Sequence, residues 1–138
     1  MNFENPSPDE IKALLQRIRT IAVVGLSPRP ERPSFGVSRA MQALGYRIVP
    51  VRPAVREVLG EPAYARLADI PFTVDLVNVF REAAAIPGVV EECLAIGAPA
   101  LWIQEGIVHD AAAQRARAAG MSVVMNRCIW KDHMALMP

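Results

Sequence analysis

Cysteine and aromatic residues are scarce in this sequence, and each scarcity excludes a class of protein. Cys93 and Cys128 are the only cysteines and cannot build a disulfide framework, so we expect reduced thiols in a cytoplasmic protein. Aromatic residues make up 6% of the chain and do not alternate with basic residues, which argues against a nucleic-acid surface. No apolar run approaches the roughly 18 residues of a membrane span, and the polar N-terminus does not resemble a secretory signal.

What the sequence does contain indicates one compact α/β domain over residues 1–138. Apolar residues make up 52% of the chain, enough for a core that covers both faces of a sheet. Short apolar segments that predict strands alternate with segments of helical periodicity, and this alternation favours a parallel sheet with right-handed crossovers. We therefore predict a doubly wound, mostly parallel Rossmann-like sheet of five or six strands with helices on both faces.

The predicted elements have local signals. Ser7-Pro8-Asp9-Glu10 has the pattern of a capping box with proline at the first helical position, and it predicts a helix that ends near Arg19. The wholly apolar run Ile21–Val24 predicts a central strand. Further strands are predicted at Arg47–Val51, Val74–Val79, Ala100–Ile103 and Ser122–Met125, with a short one near Ala63–Leu67; further helices are predicted at 37–44, Pro87–Ile96 and Asp110–Ala119.

Ligands of such sheets bind beyond the carboxyl ends of the strands, where the strand order reverses. With Ile21–Val24 central and its neighbours Arg47–Val51 and Val74–Val79, three loops should meet there: Gly25–Ser34, Arg52-Pro53 and Phe80-Arg81-Glu82. Basic residues are concentrated in the same region, because residues 11–56 contain nine Lys or Arg and one acid. This asymmetry favours a pocket for a compact polyanion.

The first loop carries the features of a phosphate site. Gly25 lets the backbone approach a ligand closely, and Ser34 is predicted to cap the following helix and leave the amides of Phe35, Gly36 and Val37 facing outward. A hydroxyl and two guanidinium groups lie beside them, from Ser27, Arg29 and Arg32.

Several nucleotide-binding signatures are absent. The loop contains neither G-x-G-x-x-G nor G-x-x-x-x-G-K-[ST], so a standard dinucleotide site and a nucleoside-triphosphate loop are not expected. A site for NAD would have an acidic residue after the second strand, and this chain has Arg52. Arginine suits a ribose phosphate, which both NADP and coenzyme A carry, so this position does not separate the two.

The runs VVGLSPRPERPSFGV, GYRIVPVRP, VDLVNVFR, ALWIQEGIV and VVMNRC together resemble the small single-domain CoA-binding protein family, over about residues 8–133. That family is similar to the CoA-binding domain of the succinyl-CoA synthetase alpha subunit. The resemblance implies that coenzyme A is the ligand and that the pyrophosphate lies against Gly25-Leu26-Ser27 and the Arg32–Phe35 segment, which includes Ser34. It also implies adenosine beside Arg52-Pro53, an opposite wall from Phe80-Arg81, and a pantetheine-facing loop Gln104-Glu105-Gly106.

Two positions depart from the family pattern. The family usually has Asn-Pro where this chain has Arg52-Pro53, so the ribose contacts are expected to differ. It usually has Met-Asp-Arg-Cys where this chain has Met125-Asn126-Arg127-Cys128, so no role that needs a carboxylate is assigned there.

No complete catalytic constellation and no metal site are identified, so we expect a non-catalytic module that binds coenzyme A or an acyl-CoA. Its remaining partners stay open between a homo-oligomer and a separate enzyme, and neither nucleic acid nor membrane is expected. Two alternatives remain: an NADP-binding oxidoreductase or redox sensor, and a thiol enzyme that acts on CoA disulfides through Cys128. Cys128, Cys93 and Trp102 are interpreted first as core residues.

Overall fold

The computed structural model describes residues 2–138 and begins with a helix whose first turn is set by its sequence. Helix α1 spans Pro8–Arg17, with Ser7 as its N-cap. The Glu10 N–H donates to Ser7 Oγ at 3.2 Å, and the Ser7 N–H donates to Glu10 Oε1 at 3.2 Å. The predicted capping box is thus confirmed, although the helix ends two residues before the predicted Arg19.

Five parallel strands form the central sheet, and a two-stranded antiparallel hairpin lies beside it. The sheet strands are β1 (Thr20–Val24), β2 (Arg47–Val51), β5 (Leu76–Val79), β6 (Ala100–Gln104) and β7 (Ser122–Arg127); the hairpin strands are β3 (Glu57–Val58) and β4 (Glu61–Pro62). Their order is β2-β1-β5-β6-β7, so β1 lies between β2 and β5 as its apolar sequence predicted. The strand order reverses at β1, because the chain continues from β1 to β2 on one side and later enters β5 on the other side of β1.

Helices cover both faces of the sheet. Besides α1, they are α2 (Pro33–Ala43), α3 (Ile86–Ala95), α4 (Asp110–Ala118) and α5 (Ile129–Leu136). The buried side chains of α1, α2 and α5 pack in one apolar cluster with Trp102, whereas those of α3 and α4 pack in a second cluster with Leu101. Neighbouring residues of β6 therefore point to opposite faces of the sheet, one into each cluster. The predicted doubly wound α/β fold is confirmed.

The structure differs from the sequence predictions in one strand that does not form, one helix that was not predicted and one strand that is longer than predicted. No strand forms at Ala63–Leu67: Tyr64 makes a single parallel bridge with Val51, and a short 3₁₀ turn follows at Leu67–Asp69. Helix α5 was not predicted. Its buried residues are Ile129 and Asp132, and because Asp132 is polar, the apolar periodicity of the helix is weak. The last strand extends beyond Met125 to Arg127. Within residues 2–138, no helix is long and apolar enough to cross a membrane.

Cys93 on α3 is a core residue, as predicted, and its thiol should be chemically inert in the folded protein. Burial is the main cause that raises the pKa of this thiol, to about 12, so almost none of it is thiolate at neutral pH. In a Cys128→Ala variant at pH 8, we expect Cys93 to react with Ellman's reagent only as fast as the protein unfolds. A Cys93→Ala variant is the control that reports Cys128 alone. Rapid reaction of Cys93 without denaturant would contradict this prediction.

Candidate functional site

The turn after β1 brings the carboxyl ends of three strands together. The Gly25 N–H donates to the Val51 carbonyl at 2.9 Å, and the Phe80 N–H donates to the Val24 carbonyl at 2.9 Å. Gly25 has a φ of +84°, and a Cβ at this position would collide with the Phe80 carbonyl oxygen. Only glycine combines this backbone conformation with so close an approach of two backbone segments.

A cleft of about 1180 Å³ opens at this edge of the sheet. Its walls come from the loops that follow β1, β2, β5 and β6, together with the first turn of α5. This volume is slightly above the roughly 300–1,000 Å³ of common small-molecule sites, so the cleft has room for a large ligand. The cleft lies where the strand order reverses, which is the position expected for a doubly wound sheet.

Two serines organise the loop between β1 and α2. The Ser27 N–H donates to Ser34 Oγ at 2.9 Å, and the Arg29 N–H donates to Ser27 Oγ at 3.1 Å. Both serines are buried and line the cleft. These bonds hold the proline-rich loop in one conformation and leave its arginines on the outer side.

The predicted role of Ser34 as a helix cap was wrong. Arg32 is the N-cap of α2, without a side-chain capping bond, and Pro33 begins the helix. The N–H groups of Phe35 and Gly36 both donate to the Arg32 carbonyl, at 3.1 and 3.2 Å, so neither faces outward as predicted. The Ser34 N–H, by contrast, has no acceptor within residues 2–138, and it is the helix-terminal amide that remains for an anion.

Five cations border the cleft, and they differ in whether a carboxylate neutralises them. Arg81 pairs with Glu82 at 3.2 Å, and a side-chain hydrogen bond from Arg81 lowers the pKa of that exposed carboxyl. Lys131 pairs with Glu105 at 3.0 Å, and this hydrogen bond raises the pKa of the ammonium. Within residues 2–138, Arg29, Arg32 and Arg52 form no ion pair. The net positive charge of the cleft therefore lies near β1 and β2.

Arg52 is held by its backbone, and its side chain is largely free. Its N–H donates to the Tyr64 carbonyl at 2.8 Å, which is one of the two hydrogen bonds of the bridge between Val51 and Tyr64. Its guanidinium makes one long hydrogen bond, 3.4 Å from the Gly25 carbonyl. The side chain is half-buried and lines the cleft beside Pro53. A guanidinium in this position can turn toward a phosphate without breaking an ion pair.

Helix α5 and the residue before it supply another part of the cleft wall, through Cys128, Trp130 and Lys131. The helix is attached to the sheet by the bidentate pair of Arg127 and Asp132, at 2.6 and 2.7 Å, and the pKa of Arg127 is raised mainly by these hydrogen bonds. The fully buried Trp102 donates from Nε1 to the Arg127 carbonyl at 2.8 Å. Trp102 is thus a packing residue, as interpreted from sequence, and it does not line the cleft.

Nine of the twelve residues predicted for the site line this cleft: Gly25, Ser27, Arg32, Ser34, Arg52, Pro53, Phe80, Arg81 and Gln104. The other three do not. The Leu26 side chain is fully buried in the core, and Phe35 is half-buried against the same apolar cluster. Gly106 donates its N–H to Asn126 Oδ1 at 2.7 Å, away from the lining.

Asn126 has a structural role in the segment where the family pattern differs. It is the extra residue of a β-bulge between β6 and β7, with a φ of +59°. Asparagine tolerates this left-handed conformation better than most residues. Its carboxamide oxygen serves as the acceptor for Gly106, so this contact needs no negative charge.

Sequence reasoning missed the cleft residues that α5 contributes. Cys128, Trp130 and Lys131 all line the cleft. Cys128 was considered only as the thiol of the alternative enzyme, and Trp130 and Lys131 were not assigned to the site. The only signal in the sequence was the spacing of Ile129, Asp132 and Leu136, which is helical but interrupted by a charge. Cys128 is 6% exposed. Within residues 2–138, no three His, Cys, Asp or Glu side chains are placed to hold a metal ion.

The sheet order and its helices define a Rossmann-like α/β domain, and comparison with known proteins identifies its family. Residues 19–134 match the model of the CoA-binding domain family, and the chain belongs to this family. It is 48% identical over 131 residues to the uncharacterized protein YneT of Bacillus subtilis. The aligned residues cover 95% of this chain and 97% of that protein.

Two further relatives extend the comparison. A structure of a hypothetical protein from Pyrococcus horikoshii OT3 has a TM-score of 0.92 and 32% identity, with 100% of both chains covered. A segment of 75 residues is 32% identical to an ADP-forming acetate–CoA ligase of Archaeoglobus fulgidus. That match covers 54% of this chain and only 11% of the ligase, so it relates the domain and not the whole enzyme.

Proposed function

We propose that this chain binds coenzyme A or an acyl-CoA in the cleft at the carboxyl ends of β1, β2, β5 and β6, as a non-catalytic module. The observation that carries the proposal is the set of three arginines without ion pairs, Arg29, Arg32 and Arg52, around a cleft at the reversal of strand order. A phosphate-bearing nucleotide is the ligand class that such a charge at this edge selects. Membership in the CoA-binding domain family and the similarity to an acetate–CoA ligase support coenzyme A in particular.

The geometry supports one orientation of the ligand. The pyrophosphate lies against the Gly25–Ser27 turn and the Ser34 N–H, with Arg32 beside it. The adenosine, with its ribose phosphate, lies beside Arg52 and Pro53, since these residues follow β2, the strand that borders the ribose in Rossmann folds. Phe80 and Arg81 form the opposite wall. The pantetheine arm then runs past β5 toward β6 and α5, where Gln104 lines the cleft.

The thiol alternative keeps one specific observation in its favour. Cys128 lines the same cleft, at the start of α5, and is therefore on the side where the thiol of coenzyme A would arrive. A thiol enzyme needs an exposed, low-pKa thiolate, whereas Cys128 is 6% exposed. Binding without catalysis is therefore the function that we favour.

A thermal-shift panel tests the proposal. Coenzyme A at 100 times its dissociation constant should stabilise the protein by about 2.7 kcal/mol, which for a domain of this size raises the Tm by roughly 5–10 °C. Acetyl-CoA should act similarly, and NAD should have little effect because it lacks the ribose phosphate. NADP and ATP are the controls for charge alone. If NADP gives the largest shift, an oxidoreductase or redox sensor replaces this proposal.

A further inference from the structure

Strand β7 lies at one edge of the sheet, and a short segment near the N-terminus covers that edge. Within residues 2–138, β7 pairs with β6 on one side and with no strand on the other. On the outer side, the Met125 N–H donates to Asn5 Oδ1 at 2.8 Å, and Asn5 Nδ2 donates to the Met125 carbonyl at 2.8 Å. One carboxamide thus supplies the acceptor and the donor that a residue of a neighbouring antiparallel strand would supply.

Contacts with helix α4 hold this segment in place. The Phe3 N–H donates to Asp110 Oδ1, in the first turn of α4, at 3.0 Å. Arg117, in the last turn, donates to the Glu4 carbonyl at 2.7 Å, and its guanidinium carbon lies 4.0 Å from the centre of the Phe3 ring. The ring also packs against the apolar cluster of α3 and α4. We call residues 3–5 the edge strap, because they are fixed to both α4 and β7.

The opposite edge of the sheet is protected in a different way. Beside β2, the Tyr64 N–H donates to the Pro50 carbonyl at 3.0 Å, and the Tyr64 carbonyl accepts from the Arg52 N–H. Pro50 itself has no N–H to pair with another chain. The cover of β7 comes instead from a residue 120 positions away in sequence, in a segment without regular secondary structure. The β7 edge can therefore lose its protection without the unfolding of a helix or strand.

The covered part of β7 is complementary to a second copy of itself. Alternate residues of a strand direct their backbone groups to the same edge, so Val123 faces outward as Met125 does. Beside Val123 there is a groove of about 550 Å³ and no strand. In an antiparallel arrangement centred on Val124, Val123 of each copy lies opposite Met125 of the other, and each such pair exchanges two N–H···O bonds. The two sheets then join about a two-fold axis.

We propose that the edge strap blocks antiparallel pairing of β7 with β7 of a second copy, and that release of the strap exposes this surface for association. Asn5 occupies the Met125 backbone groups that the second copy would use, and Phe3 fixes the strap to α4. Because one N–H and one carbonyl cannot serve both partners, the strap and the second copy exclude each other. The proposal goes beyond the binding of a ligand, since neither Phe3 nor Asn5 lines the cleft.

The double variant Phe3→Ala/Asn5→Ala tests this role and leaves the sequence of β7 unchanged. We expect its self-association constant to exceed that of the native protein by about 10-fold or more, because the freed backbone groups gain hydrogen bonds when two copies pair. Sedimentation over a range of concentrations measures both constants. Asn2→Ala/Glu4→Gln is the matched control, because both side chains are exposed and form no ion pair among the described residues. The control should associate as the native protein does.

Amide hydrogen exchange shows where the two copies meet. In the associated double variant, the amides of Val123 and Met125 should exchange more slowly than in the same variant diluted until it dissociates. No gain in association over the native protein overturns the proposal. A gain that leaves these two amides unprotected also overturns it, because the contact then lies on another surface.

The Arg117→Ala variant serves if the double variant does not fold. It changes one exposed side chain and removes both the hydrogen bond to the Glu4 carbonyl and the contact with the Phe3 ring. We expect a smaller gain in self-association, roughly 2- to 10-fold, and faster exchange of the Met125 amide. Arg115→Ala, on the same helix, controls for the loss of one positive charge. Equal association of the two variants would overturn the proposal.

Discussion

Replacing Gly25 by alanine should lower the free energy of unfolding by about 2–6 kcal/mol, because two costs add. A non-glycine residue at a φ of +84° is strained, typically by about 1–3 kcal/mol. The added Cβ also meets the Phe80 carbonyl oxygen, a backbone atom that cannot rotate away, and overpacking costs about 1–3 kcal/mol more. Urea unfolding at constant pH measures the effect.

Gly88→Ala is the matched control for this substitution. Gly88 lies in α3, its φ is not positive, and a Cβ there meets nothing within 4 Å. Alanine should therefore stabilise the protein slightly, by about 0.5–1 kcal/mol. If Gly25→Ala unfolded at the same urea concentration as the native protein, the turn would accommodate a Cβ without strain and the prediction would be wrong.

Replacing Arg52 by alanine should weaken coenzyme A binding about 10- to 150-fold, because a charge-assisted contact contributes about 1.5–3 kcal/mol. Arg52 has no carboxylate partner within residues 2–138, so its removal leaves no unpaired acid in the protein. Dephospho-CoA lacks the ribose 3′-phosphate and should bind both proteins nearly alike. The four affinities, measured by calorimetry at one salt concentration, form a double-mutant cycle with the ligand as the second change.

Arg115→Ala is the control for the loss of one positive charge. Arg115 pairs with Glu91 at 3.2 Å, neither residue lines the cleft, and the removal of Arg115 should change coenzyme A affinity little. Equal losses for coenzyme A and dephospho-CoA in the Arg52→Ala protein would show that Arg52 acts on the pyrophosphate or on folding. The assignment of the ribose phosphate to Arg52 would then be wrong.

The sequence predicted the scaffold because its signals are local and strong. A wholly apolar run rich in β-branched residues, such as Ile21–Val24, is typical of a central strand of a parallel sheet, and β1 lies between β2 and β5 as this predicts. Once β1 was central, the loops that begin at Gly25, Arg52 and Phe80 had to meet at one edge. Most of the candidate site followed from this single inference.

The errors lie where local preference competes with a distant partner. Ser34 has the side chain of a helix cap, but its hydroxyl accepts the Ser27 N–H instead, and Arg32 takes the cap position. Helix α5 has a weak apolar pattern because Asp132 faces inward, where it is satisfied by Arg127. Neither partner can be read from the spacing of the residues.

The sequence by itself determined the α/β class, the central strand and the edge of the sheet at which the cleft lies, since apolar periodicity and turn residues act over a few neighbouring positions. Only the tertiary structure decided which cations remain unpaired and which way the Gln104 amide faces. Lys131 is neutralised by Glu105, and Gln104 is oriented by Ile129, in each case across about 25 residues of chain. Such pairings depend on how strands and helices are placed in three dimensions, and that placement is a property of the whole packed core.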